Sequence, residues 1–151
     1  MDDEDRTEVL SEMSHGVRRE LSLLLAYDKD TLYFAFRVHY ADRSRMQANR
    51  VDRDQTTNDD VMTVFFDPFE DQQRGYAFSV NAYGVQADWT LGGASVSGGQ
   101  ASTGDMTWNA LFRTGGALVE DGWTAEMAIP LRSLRYPSRR SDETHHWGFQ
   151  I

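Results

Sequence analysis

The chain has 151 residues, 40% apolar and 12% aromatic, which is enough for one globular domain with a substantial core. Its formal net charge of −9, with Lys29 as the single lysine, excludes nucleic acid as a partner, because phosphate-backbone binding needs a basic face. Cysteine is absent, which excludes disulfides and thiolate metal sites, and no apolar run approaches the roughly 20 residues of a transmembrane helix.

Residues 1–19 are polar and weakly patterned, and Val9, Leu10 and Met13 are expected in a short amphipathic turn. The opening Met-Asp-Asp-Glu-Asp is not a signal-peptide pattern. It fits a cytoplasmic protein or a piece of a longer exported chain. Glu20 to Tyr27 and Thr31 to Tyr40 alternate as strands around Asp28-Lys29-Asp30, so they predict a hairpin. Ala41 to Met46 reads as one helical turn and Gln47 to Asp52 as an edge strand, followed by a polar loop over 55–60. Val61 to Phe66 is a buried strand ended by Asp67-Pro68. Tyr76 to Ala82 and Val85 to Leu91 form a second hairpin across Tyr83-Gly84. Residues 92–107, rich in Gly, Ser and Thr, read as a surface loop. Trp108 to Arg113 and Gly122 to Ile129 are two more strands, with turns at Gly115-Gly116 and Asp121-Gly122. Leu131 to Leu134 suggests a helical turn, and Trp147 to Ile151 a last strand. Short strands at this spacing predict an all-β protein, an antiparallel β-sandwich of jelly-roll type spanning 20–151. A closing apolar strand suggests that the natural chain continues.

These residues carry a resemblance. It rests on Tyr27-Asp28 with Thr31-Leu32-Tyr33-Phe34-Ala35-Phe36, on the Asp60-to-Asp67 spacing and on Tyr76 to Asp88. Gly122 to Pro130, Ser133 to Pro137 and Trp147-Gly148-Phe149 complete it. The combination resembles family 9 carbohydrate-binding modules, above all the branch at the N-terminal end of large bacterial envelope proteins. The resemblance implies a β-sandwich, a periplasmic, outer-membrane-associated or extracellular location, and glycan binding. The sugar contacts of the xylanase-associated members do not carry over. Thr57 stands where they have a stacking tryptophan, Thr63 where they have a glutamate, and Ser79 where they have an arginine.

Several constellations bear on function. Asp59, Asp60 and Asp67 bracket one strand, and calcium takes six to eight oxygen ligands. An extended strand holds Asp60 and Asp67 roughly 23 Å apart, too far to share an ion. A calcium site would therefore combine Asp59 or Asp60 with Asp52 or Asp54; the bland reading is a solvated corner. Trp89 and Trp108 flank the Gly-Ser loop and are the candidate sugar platforms, whereas Trp123 and Trp147 read as core. Asn81 and Tyr83, at a hairpin end, are candidate ligand contacts, with turn capping as the alternative for Asn81. Arg50, Arg53 and Arg74 are expected to pair with nearby aspartates. No arrangement points to an enzyme: neither a fixed carboxylate pair, a Ser-His-Asp spacing nor a phosphate loop is present. His145-His146 would point to opposite faces of a strand, which argues against zinc.

The leading expectation is thus a non-catalytic module for a polysaccharide or oligosaccharide. A structural or docking sandwich, stabilised by packing or calcium, is the alternative. A haem domain using His39 with Met62, Met106 or Met127 is a third. The edge of the last strand offers a route to a homodimer.

Overall fold

A computed structural model of the protein describes residues 7–13, 19–92, 104–140 and 142–151. They form an antiparallel β-sandwich. One sheet has five strands in the order β1-β2-β3-β8-β7. These are β1 (Thr7–Met13), β2 (Arg19–Tyr27), β3 (Thr31–Tyr40), β7 (Arg113–Val119) and β8 (Gly122–Pro130). The other sheet has four, ordered β6-β5-β4-β9. These are β4 (Val61–Asp67), β5 (Gly75–Asn81), β6 (Gln86–Leu91) and β9 (Gly148–Gln150).

The hairpins form where the turn chemistry dictates. Asp28 Oδ1 accepts from the amides of Asp30 at 2.7 Å and Thr31 at 2.8 Å, closing the β2–β3 turn. At the β5–β6 turn, Gly84 takes φ +77°, a left-handed conformation that glycine adopts at no steric cost. Alternation then sends Phe34, Phe36, Trp123, Met127 and Ile129 of one sheet, and Val64, Phe66, Phe78 and Val80 of the other, into a shared core. The Phe34 and Phe66 rings meet across the layers at 5.8 Å. Each such buried side chain contributes about 1.5–3 kcal/mol over leaving it exposed.

Four local expectations are corrected. Val9, Leu10 and Met13 do not lie in a turn; they belong to β1, paired with β2 from Thr7↔Leu25 to Met13↔Arg19. Residues 47–52 are not an edge strand. Their backbone groups are taken by contacts outside any ladder, Gln47 O by the Asp60 amide and Asn49 O by the Asn81 side chain. Residues 108–112 are not a strand either: Ala110 N–H, Ala110 C=O and Phe112 C=O are bonded to the side chains of Asp88, Arg53 and Gln86. Gly115 and Gly116 lie inside β7. A Cβ on Gly116 would stand 2.4 Å from Gly84 N, so glycine there allows β7 to approach the β5–β6 turn. The single helical turns occur as expected, as 3-10 turns at Arg43–Arg45 and Leu131–Ser133. Of the expected surface loop, 93–103 lies outside the described residues. Among the described residues no helix is long and apolar enough to cross a membrane.

Candidate functional site

The site begins with an inverted strand. On β5, Tyr76, Phe78 and Val80 face the core, and their partners across the ladder are Thr90, Asp88 and Gln86. The polar phase of β6 therefore points between the sheets. Its apolar phase, Ala87, Trp89 and Leu91, points out of the sandwich. Trp89 lies partly exposed in one row with Ala77 and Phe65, and its ring meets Phe65 edge-on at 6.1 Å. The adjacent row is Ala87, Ser79 and Thr63, with Thr63 Oγ1 donating to Ser79 Oγ at 3.0 Å. On this side of the four-stranded sheet Trp89, Phe65 and Thr63 keep part of their surface exposed, while Ala77, Ser79 and Ala87 between them are buried.

The inward polar phase is satisfied by the fold. Asp88 is fully buried. It bonds the Arg53 guanidinium through one oxygen and the Ala110 amide through the other, at 2.6 Å. Arg53 also donates to Ala110 O, lies 3.7 Å from Asp54 and places its guanidinium over the Phe112 ring. Gln86 completes the cluster by donating to Phe112 O at 3.0 Å. Burial pushes the Asp88 carboxyl up from its ordinary value, against the lowering effect of the Ala110 amide and Arg53. The sequence offered Arg53 as an aspartate partner but gave none to Asp88, because the two stand 35 residues apart.

The other predicted residues separate. Trp108 faces inward, 4.9 Å from the Tyr76 ring and 5.8 Å from Phe78, so it lies on the opposite side of the four-stranded sheet from Trp89. The two tryptophans do not share a platform. Asn81 has no exposed surface. Its oxygen accepts from the amides of Tyr83 and Val85, and its nitrogen donates to Asn49 O and Asp59. It caps the hairpin turn. Tyr83 remains partly exposed, with Arg50 stacked over its ring at 4.5 Å. Arg74 pairs with Asp71.

The aspartates proposed for calcium occupy different settings. Asp59 accepts from Asn49 and Asn81, and Asp60 from Tyr40 and the Gln47 amide. Asp54 lies beside Arg53 and accepts from the Asp88 amide, while Asp52 is exposed. Among the described residues, no group of three or more His, Asp or Glu side chains gathers around a common point. The haem alternative finds no support: His39 faces outward and bonds Asp121, Met127 is core, and Met106 is about half exposed. Trp123 and Trp147 pack as expected, Trp123 within the core and Trp147 against Phe66 and Tyr136.

Comparison with known proteins gives the family and the fold. Residues 14–151 match the family described as carbohydrate family 9 binding domain-like. The chain belongs to this family. Among solved structures, it is similar to a Bacteroides uniformis chain described as a candidate carbohydrate-binding protein. The two share 16% identity with a TM-score of 0.59, over 97% of this chain and 68% of that one. At that identity the likeness shows the shared fold. No curated protein matches the chain. The Thr63–Ser79 pair lies one row from Trp89.

Proposed function

We propose that this carbohydrate-binding-module-like domain holds a neutral glycan, without cleaving it, on the outer face of the four-stranded sheet, with Trp89 as the stacking platform. The observation that carries the reading is the inversion of β6. A strand that turns Trp89 and Leu91 outward, and Asp88 inward, places its apolar area where a ligand can cover it. The Trp89 ring offers its face to the C–H side of a sugar, and Phe65, edge-on, fixes its orientation. In the next row the Thr63–Ser79 hydrogen bond ties β4 to β5 beneath the platform, with Ser79 buried. A binding role without hydrolysis is supported by the nearby acids: Asp88, Asp59 and Asp60 are all engaged in holding the fold together. A place in the bacterial envelope, exported, belongs to the same proposal and is supported by the resemblance to envelope-protein modules. Self-association would use β9, which is exposed along its length and, among the described strands, pairs only with β4.

Tryptophan fluorescence during titration with xylo-, cello- and manno-oligosaccharides tests the reading. A saturable change that Trp89→Ala removes, with no new reducing ends after long incubation, is the expected result. A flat response to all three series would sink it. Repeating the melt with calcium and with chelator tests the calcium alternative: a melting temperature lowered by chelator would favour a metal-stabilised structural domain.

A further inference from the structure

The opposite sheet carries a second feature that Trp89 does not explain. Across the outer face of β2, β3, β8 and β7 runs a trough of about 530 Å³. Two ladder rows build it. One is Leu24, Ala35, Glu126 and Gly115, and the other is Ala26, Tyr33, Ala128 and Arg113. Ala35 and Gly115 of one row and Ala26 and Ala128 of the other make the floor. Leu24 and Tyr33 rise beside it, 42% and 38% exposed. The volume lies within the range of about 300–1,000 Å³ typical of small-ligand sites.

Three side chains make the trough selective. The Tyr33 hydroxyl donates to Asp28 Oδ2 at 2.9 Å, and the same aspartate is fixed by two turn amides. The phenol ring is therefore held in place before any ligand arrives. Glu126 and Arg113 are both exposed, and neither has an ion pair or side-chain hydrogen bond among the described residues. Farther along the same face the other arginine is already occupied, since Arg37 bonds both oxygens of Asp121 at 3.0 Å. The trough thus combines an oriented aromatic face with an acceptor and a donor that no described side chain engages. Their charges cancel, and the chain around them carries a formal −9.

We infer that this trough is a second saccharide site, independent of the Trp89 face, and that it takes a neutral oligosaccharide. Tyr33 stacks on one sugar ring, while Glu126 accepts from and Arg113 donates to hydroxyls of the same or the next ring. From β3 to β7 is two inter-strand steps, about 10 Å, which suits two linked rings. An anionic glycan is disfavoured by Glu126 and by the net charge.

The test is isothermal titration of the whole chain with neutral xylo-, cello- and manno-oligosaccharides and with a uronic-acid oligosaccharide. It is run on the wild type, on Trp89→Ala, and on Trp89→Ala combined with Glu126→Gln, Arg113→Gln or Tyr33→Ala. The expected result is binding to a neutral oligosaccharide that survives Trp89→Ala and then weakens about tenfold with Glu126→Gln or Arg113→Gln. Circular dichroism of each variant ensures that the loss is not unfolding. If Trp89→Ala alone removes all binding, the trough is not a site and the Trp89 reading stands. Residual binding unchanged by Glu126→Gln and Arg113→Gln also overturns the inference. A preference for the uronic-acid probe that Glu126→Gln strengthens would overturn the neutral class. No binding by the wild type would overturn both sites together.

Discussion

The two sheets treat their polar side chains in opposite ways. On the four-stranded sheet nearly every polar group near the candidate site is consumed by the fold: Asp88 by Arg53 and Ala110, Asn81 by the turn and Asp59, Thr63 by Ser79. What remains open there is aromatic, namely Trp89 beside Phe65. On the five-stranded sheet the outer face leaves Glu126 and Arg113 without an ion pair among the described residues, beside the fixed Tyr33 ring. The difference separates side chains that hold the sandwich from side chains available to a ligand. Mutations on the two faces should therefore move different observables.

The largest expected effect lies at Asp88. Asp88→Ala leaves the Ala110 amide and the Arg53 guanidinium without their buried acceptor, and should cost about 3 kcal/mol in chemical denaturation. A loss below about 1 kcal/mol would mean that the cluster is an ornament of the edge and not what closes it. Next is Gly84→Val. The positive φ and a Cβ placed 3.0 Å from Gly116 N should together cost about 2 kcal/mol, read as a lower melting temperature. An unchanged melt would mean that the turn rearranges freely.

Trp89→Ala should divide its effect between the two observables. Loss of the edge-on Phe65 contact costs about 1 kcal/mol of stability, and loss of the stacking platform weakens glycan binding about tenfold. Glu126→Gln should change stability by less than about 0.5 kcal/mol, because nothing in the described fold depends on the charge. A larger shift would place Glu126 with the scaffold and erase the contrast between the faces.

The smallest effects are those of single exposed carboxylates with pH. Asp28, Asp42, Asp71, Asp105 and Asp121 are held below their ordinary value of 3.8. The main causes are the Asp30 amide, the Ser44 hydroxyl, the Arg74 side chain, the Thr107 hydroxyl and the Arg37 side chain, in that order. Bonds to the charged form stabilise the folded state above pH 3.8 and are lost as the pH falls through the lowered values. Asp88 has the opposite sign. Its raised folded value makes its contribution most favourable below 3.8 and less so as the pH rises through the shifted value. A pH series of melts on the wild type and Asp88→Asn should show this second slope only in the wild type.

These features were unequally legible in the sequence. The hairpin over Glu20–Tyr40 was readable because local turn chemistry and alternation agree there, and the structure returns Thr31–Tyr40 as written. Gly115-Gly116 misled because the same residue that permits a turn also permits close approach of two strands, and only the packed sandwich distinguishes these. Trp89 and Trp108 flank one loop, and sequence proximity suggested one platform. The ladder puts them on opposite sides because 104–112 crosses the edge of the sheet. β6 was the hardest case. Alternation gives its period but not its phase, and Asp88 is tolerated inside only because a distant arginine neutralises it. The trough on the other sheet is not legible in the sequence because its parts come from four strands, and Tyr33, Arg113 and Glu126 become neighbours only in the folded ladder.

The most direct measurement is a backbone and indole amide NMR titration with a neutral oligosaccharide that shifts the tryptophan fluorescence. Outward aromatic binding is expected to move the Trp89 indole N–H together with Thr63, Phe65 and Ala87, and to leave the inward Trp108 indole unmoved. Shifts centred on Trp108, or none on the outer face of the four-stranded sheet, would contradict it.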